Sequence, residues 1–239
     1  MQKAIIIGAS EGIGRELARV LAVDGVALGL VARRLELLTA LQEELPARSY
    51  VKRIDIARPD EARRQLDELI REMGGVDIII ISAGVIFQDP GWDEERATIG
   101  VNVTGFTAMF DYAFDYFRKK GAGHIVGISS VAAVRGGHCS PVYNASKAFV
   151  SSLMHGFRIR ARRMGANVRI TDIMPGHVST GMMVGQKGAF WVIPTGRAAR
   201  LIAAAIRKKR KHAYITPRWR IVAWMMRILP DGVYARFES

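Results

Sequence analysis

Cysteine is nearly missing: Cys139 is the one thiol in 239 residues, so no disulfide can close within the chain. Long apolar runs are missing too, and none approaches the ~20 uninterrupted residues a membrane-crossing helix needs. The five histidines do not fall at metal-ligand spacings with other His, Cys or carboxylate side chains, so no metal site is expected. Met1-Gln2-Lys3 passes directly into an apolar run without the regions of a secretion signal, which predicts a cytoplasmic protein. Repeats, low-complexity tracts and linkers are absent. Acids are scarce, with 22 Asp and Glu against 35 Lys and Arg, a net charge of +13.

What is present is apolar content, 49%, on a length that suits one large α/β domain over residues 1–239. Strand-like runs at Lys3–Ile7, Val26–Val31, Ser49–Arg53, Val76–Ile81, His124–Ile128 and Asn167–Ile173 alternate with helix-length amphipathic segments. The central runs, Ile78-Ile79-Ile80-Ile81 above all, are apolar on both faces and demand cover on both. The pattern predicts a doubly wound, Rossmann-type parallel sheet in three α/β/α layers, with about seven strands once a last one near His212–Thr216 is added.

After the first run the chain breaks into Gly8-Ala9-Ser10-Glu11-Gly12-Ile13-Gly14 before an amphipathic stretch from Arg15 to Val23. Glycines at a strand-to-helix junction let backbone approach a ligand, while the free N–H groups of a helix start attract a pyrophosphate. The spacing Gly-x-x-x-Gly-x-Gly differs from the common dinucleotide fingerprint, and a purely structural turn is the alternative.

About 130 residues on, Tyr143-Asn144-Ala145-Ser146-Lys147 places a phenol and an ammonium one helical turn apart. An adjacent cation favours the phenolate, so Lys147 is expected to lower the pKa of Tyr143 and make it a proton donor near neutrality.

The glycine turn and the Tyr-x-x-x-Lys pair, in this order, resemble the short-chain dehydrogenase/reductase family from Lys3 to about Thr180. Further matches are Asp55, Ser82-Ala83-Gly84, Asn102, Ser130, and Pro175-Gly176 with Val178 and Thr180. Two positions depart from the family pattern: Ile7 stands where Thr usually opens the glycine motif, and Ile81-Ser82-Ala83-Gly84 replaces Asn-Asn-Ala-Gly. The resemblance implies hydride transfer between a nicotinamide and a carbonyl or carbinol carbon. Tyr143 would move the proton, Lys147 would also hold the nicotinamide ribose, and Ser130 would bond the substrate oxygen, with Ser129 bracing backbone. Asn102 would hold a water that links Lys147 to solvent, or be a satisfied structural amide. Gly8, Ser10, Gly12, Ile13, Gly14, Asp55, Ile56, Ala83, Gly84, Asn102, Tyr143, Lys147, Pro175, Gly176, Val178 and Thr180 would contact the cofactor.

The second strand ends in Ala32-Arg33-Arg34, with no acid to grip a free ribose 2′-hydroxyl, and two guanidinium groups suit a 2′-phosphate. NADP(H) is therefore expected over NAD(H), although Glu11 argues against it and both arginines could simply face solvent. Asp55 is either an adenine contact or a helix-capping loop acid. Residues 181–195, with Met182-Met183-Val184, Phe190-Trp191-Val192-Ile193 and glycines at Gly181, Gly185 and Gly188, read as a substrate lid over an apolar or lipid-like ketone or alcohol, or as core packing. His138 and Cys139 lie between Ser130 and Tyr143, as substrate contacts or as ordinary loop residues.

Charge gathers at the other end: residues 197–239 hold eleven Lys or Arg against Asp231 and Glu238. The segment 217–239 mixes cations with Trp219, Trp224 and Met225, so it would pack on protein or lie on the inner face of a membrane. Nucleic acid is the least favoured partner. The resemblance implies a homodimer or homotetramer built on the helices around Asn102 and Tyr143. A second reading keeps the nucleotide cradle in a catalytically silent sensor or scaffold whose basic end engages a membrane or a protein.

Overall fold

The computed structural model describes residues 1–181 and 190–237. The strands are β1 (Lys3–Ile7), β2 (Ala27–Ala32), β3 (Ser49–Arg53), β4 (Ile78–Ile81), β5 (Gly123–Ile128), β6 (Val168–Pro175), β7 (Val178–Ser179), β8 (Ile193–Pro194) and β9 (His212–Ile215). Seven of them form one parallel sheet in the order β3-β2-β1-β4-β5-β6-β9, while β7 pairs with β8. Every residue of β2 and β4 is buried, the reason their sequences are apolar without alternation.

The helices are α1 (Gly12–Val23), α2 (Leu35–Glu44), α3 (Pro59–Glu72), α4 (Trp92–Thr98), α5 (Phe106–Lys120), α6 (Pro141–Arg163), α7 (Thr195–Arg207), α8 (Trp219–Ile228) and α9 (Asp231–Phe237). Leu17 and Leu21 of α1 with Ile202 and Ile206 of α7 fill one face of the sheet. Leu66 and Leu69 of α3, Phe106, Phe110 and Phe117 of α5 and Met154 of α6 fill the other. Each such side chain contributes roughly 1.5–3 kcal/mol by leaving water. The α3 helix opens with Pro59, Asp60 and Glu61 and closes with Arg71, charges that oppose its dipole.

Three strands begin later than the apolar runs suggest, β6 by a single residue and β2 and β4 for visible reasons. Val26 donates its N–H to Leu21 O at 3.1 Å and closes α1, and Val76 donates to the Tyr116 hydroxyl at 3.2 Å. Between α4 and α5 the helix widens into a π-helical segment, Ile99–Gly105, centred on Asn102. Gly105 is required there: a Cβ would lie 2.5 Å from Ile56 O. The strand order reverses at β1, between β2 and β4, so a crevice opens above the carboxyl ends of β1 and β4, where open α/β sheets bind ligands.

Candidate functional site

At the end of β1 the chain turns with Gly8 at φ 97° and Gly12 at φ 59°, conformations that favour glycine. A Cβ on Gly8 would lie 2.5 Å from Ala83 N, and one on Gly14 would lie 2.0 Å from Gly8 O. These glycines let the turn fold onto itself and onto the loop after β4, leaving α1's first N–H groups facing the crevice mouth. Ile13 packs on the core beneath. Across the turn, a Cβ on Gly12 would meet the Thr180 methyl at 3.4 Å, which brings the loop after β6 to the cradle. The cradle therefore fits a dinucleotide pyrophosphate, because side chains that would fill it are missing where backbone N–H groups converge.

Beside the cradle, Arg34 pairs with Glu11 Oε1 at 2.7 Å and donates to Ser10 Oγ at 3.1 Å, tying the end of β2 to the glycine turn. Arg33 is exposed and makes no ion pair among the described residues. Asp55 accepts from Ala57 N at 3.0 Å, a local turn contact, and Ile56 is buried.

Ser130, Tyr143, Lys147 and Asn102 come together over the ends of β4 and β5. Ser130 caps the 3-10 turn Val131–Val134 by accepting from Ala132 N at 3.1 Å, and it also hydrogen-bonds the Tyr143 phenol. The ammonium of Lys147 is buried, donates to Ile128 O at 3.1 Å and lies 5.6 Å from the Tyr143 ring centroid. A Cβ on Gly84 would sit 3.2 Å from Lys147 Nζ and 3.3 Å from Asn102 Oδ1, so that glycine lets both groups reach the backbone after β4.

The expected lowering of the Tyr143 pKa is corrected by this geometry. Burial raises it, with the Ser130 hydrogen bond opposing, and burial lowers Lys147 to about 8 against the attraction of Asp172. Taking either charged form out of water outweighs an ammonium that is bonded to a carbonyl. Asn102 matches the structural alternative raised for it, a satisfied amide. Its amide accepts from Val85 N at 2.8 Å and donates to Val85 O at 2.9 Å and Ser146 Oγ at 3.1 Å, so its side chain braces the loop after β4.

Pro175 ends β6, and Gly176 is a point of close approach, since a Cβ there would lie 1.9 Å from Trp219 Cε2. Trp219 opens α8, is buried, and packs against His177, Phe190 and Trp191. It is therefore protein core, not a lipid contact. Val178 is buried in β7. Among the expected lid residues, Phe190, Trp191 and Val192 are exposed. Met182, Met183, Val184, Gly185 and Gly188 lie outside the described residues. The Cys139 thiol contacts the His138 ring at 3.1 Å.

Two residues escaped the sequence reading. Asp172, fully buried in β6, accepts from Ser129 Oγ at 2.5 Å and Ser151 Oγ at 2.6 Å, with His212 Nδ1 at 3.5 Å. Ser129 thus braces backbone, as expected, with its Oγ 3.1 Å from Ile173 O, and it ties that backbone to this acid. An aspartate inside the apolar run Ile170-Thr171-Asp172-Ile173 was the available signal. Arg135, just after the 3-10 turn, donates to Met226 O at 2.7 Å and Leu229 O at 2.6 Å, pairs with Asp231, and lies 4.3 Å from the Tyr234 ring centroid. It pins the C-terminal helices to the site. No group of side chains among the described residues could hold a metal.

The sequence profile described as short chain dehydrogenase matches residues 2–188. An uncharacterised oxidoreductase of Mycobacterium tuberculosis is 32% identical over 249 aligned positions, covering 99% of this chain and 97% of that protein. One from Myxococcus xanthus is 32% identical, covering 97% and 94%. Among solved structures, a short-chain dehydrogenase/reductase from Burkholderia phymatum in complex with NAD superposes with a TM-score of 0.86 at 22% identity, covering 93% of this chain and 91% of that one. A short-chain dehydrogenase from Sphingobium yanoikuyae in complex with NADPH gives 0.80 at 23% identity, covering 97% and 98%. At these identities the two structures speak for the fold.

Proposed function

Because the chain belongs to the short-chain dehydrogenase/reductase family, we propose that it is an NADP(H)-dependent oxidoreductase acting on a carbonyl or secondary alcohol of apolar, lipid-like character. The observation that carries this reading is the convergence of Ser130, Tyr143 and Lys147 beside the glycine cradle. The nicotinamide nucleotide, when bound, supplies or accepts the hydride. Gly8, Ser10, Gly12, Ile13 and Gly14 hold its pyrophosphate side. Ala83, Gly84, Pro175, Gly176, Val178 and Thr180 line the crevice toward the ring, and Asp55 and Ile56 border the adenine end.

Ser130 Oγ and the Tyr143 hydroxyl both donate to the substrate oxygen, and Tyr143 gives up its proton as negative charge develops there. Preorganised donors of this kind are worth a few kcal/mol. Burial keeps the phenol protonated, as the reductive direction requires, and the Ser130 hydrogen bond offsets part of the acidity that burial removes. Lys147 stabilises the phenolate left behind, and Asn102 keeps the loop after β4 in place beside it.

Arg33 supports the NADP(H) preference, since it is a cation at the end of β2 with no ion pair among the described residues, whereas Arg34 is engaged by Glu11. Phe190, Trp191 and Val192, at the described end of the expected lid, offer apolar surface to an apolar substrate. The protein pairs with copies of itself through α5 and α6, where Phe149 is exposed.

Titration with NADPH and NADH, followed by nicotinamide fluorescence, tests the cofactor. NADPH is expected to bind tightly, NADH weakly, and Arg33→Ala to weaken NADPH by about tenfold with little effect on NADH. Binding of neither nucleotide sinks the reading. Tyr143→Phe is expected to lower turnover of an apolar ketone by roughly 10²–10⁴-fold with nucleotide affinity kept. Retained turnover removes Tyr143 from the mechanism.

A further inference from the structure

The α8 helix is apolar on both sides. Trp219, Val222, Ala223 and Met226 face inward onto Val131, Val134 and Tyr214. Helical periodicity directs Ile221, Trp224, Met225 and Ile228 to the opposite side. These four are exposed by 64%, 63%, 46% and 60%, a continuous stripe over two turns. Single exposed apolar residues are ordinary, but a contiguous stripe marks an interaction surface. A surface helix needs one apolar stripe to pack on its own fold, and α8 carries two.

Cations flank the outer stripe. Arg220 and Arg227 project along one border, both exposed and without an ion pair among the described residues. At the helix start, Arg218 lies 4.7 Å from the centroid of Trp191, whose ring is itself exposed with Phe190 and Val192. Two copies of the chain apposed through this stripe would bring these arginines against their own images, in a region with eleven cations and two acids. An anionic surface neutralises them instead. No described helix is long and apolar enough to cross a bilayer.

We propose that the outer face of α8 seats on an anionic lipid bilayer, with Ile221, Trp224, Met225 and Ile228 in the headgroup boundary and Arg220 and Arg227 on the lipid phosphates. Since Trp219 of the same helix packs on Gly176 and its neighbours pack on the Ser130 turn, the docked protein holds the substrate side of its crevice beside the membrane. The docking stands without the proposed reaction. If that reaction is also correct, a bilayer-dissolved ketone or alcohol reaches the site without crossing bulk water.

Sedimentation of the full chain with vesicles tests this and requires no turnover. Vesicles of phosphatidylcholine with about one-third phosphatidylglycerol are expected to pellet the protein, those of phosphatidylcholine alone far less, and added salt to release it. The double variant Ile221→Ser/Trp224→Ser is expected to bind at least about tenfold more weakly. Arg220→Glu/Arg227→Glu is expected to bind about twentyfold more weakly or worse, as each near-surface cation strengthens binding about fivefold. All four positions are exposed, so the variants should unfold at the wild-type temperature. The proposal is overturned by failure to pellet with anionic vesicles at low salt, or by pelleting that neither variant changes. It is equally overturned if light scattering shows that Ile221→Ser/Trp224→Ser dissociates an oligomer, which would assign the stripe to a second copy.

Discussion

Lys147 carries its charge where water does not reach, and the protein's response to pH should record it. Its pKa is about 8 in the fold against 10.5 for an ordinary lysine. Below pH 8 it is protonated in both folded and unfolded states, and the burial penalty is fully present. Between pH 8 and 10.5 the folded state gives up its proton first, so the unfolded state binds more protons and stability rises with pH. Relative to Lys147→Met, the wild type should gain up to about 3 kcal/mol across that window, read from urea unfolding at a series of pH values. A flat difference would mean that Lys147 stays charged and solvated. Tyr143 and Lys147 were legible in the sequence because four-residue helical spacing is local. Their electrostatics were not, since a raised phenol and a depressed ammonium depend on burial against β5 and β6, which Asp172 opposes at Lys147, and all of these lie elsewhere in the chain.

The elements themselves were readable wherever burial is uniform. Ile78–Ile81 and Lys3–Ile7 announce central strands through unbroken apolar runs. What local pattern did not reveal was the π-helical turn at Asn102, which depends on Gly105 meeting Ile56 O from another loop. It also did not reveal the inward turn of Trp219, which depends on Gly176. The glycine turn offers a sharp test of how tightly an element is built. Gly14→Ala places a Cβ 2.0 Å from Gly8 O, a backbone atom that cannot step aside. It should cost about 1–3 kcal/mol of stability and weaken nucleotide binding by at least about tenfold. Gly156→Ala in α6 meets nothing within 4 Å and should stabilise by about 0.5–1 kcal/mol. Denaturant melts of the two variants should therefore move in opposite directions.

For the molecule as a whole, the fold class followed from strand and helix alternation, and the sheet order places the crevice where the family resemblance required it. The position of the C-terminal helices did not follow, because Arg135 reaches them over about ninety residues of sequence. A ligand that grips the cradle and the Tyr143 helix together joins distant parts of the chain and should stabilise them jointly. With NADPH at about one hundred times its Kd, the linkage amounts to about 2.7 kcal/mol. For a chain of this size that raises Tm by roughly 5–10 °C, and dialysis should reverse it.

The seat of Trp219 on Gly176 has a consequence for how the protein is made. Synthesis delivers the glycine turn, β1 and α6 before β9 and α8. Until His212–Ile215 arrives, β6 presents an open edge, a template for pairing with another chain. Until Trp219 arrives, Gly176 and the Ser130 turn lack their wall. A nascent chain stalled short of α8 thus owns a nucleotide cradle but no finished crevice, and the burden of keeping it from aggregating falls on chaperones until α8 docks.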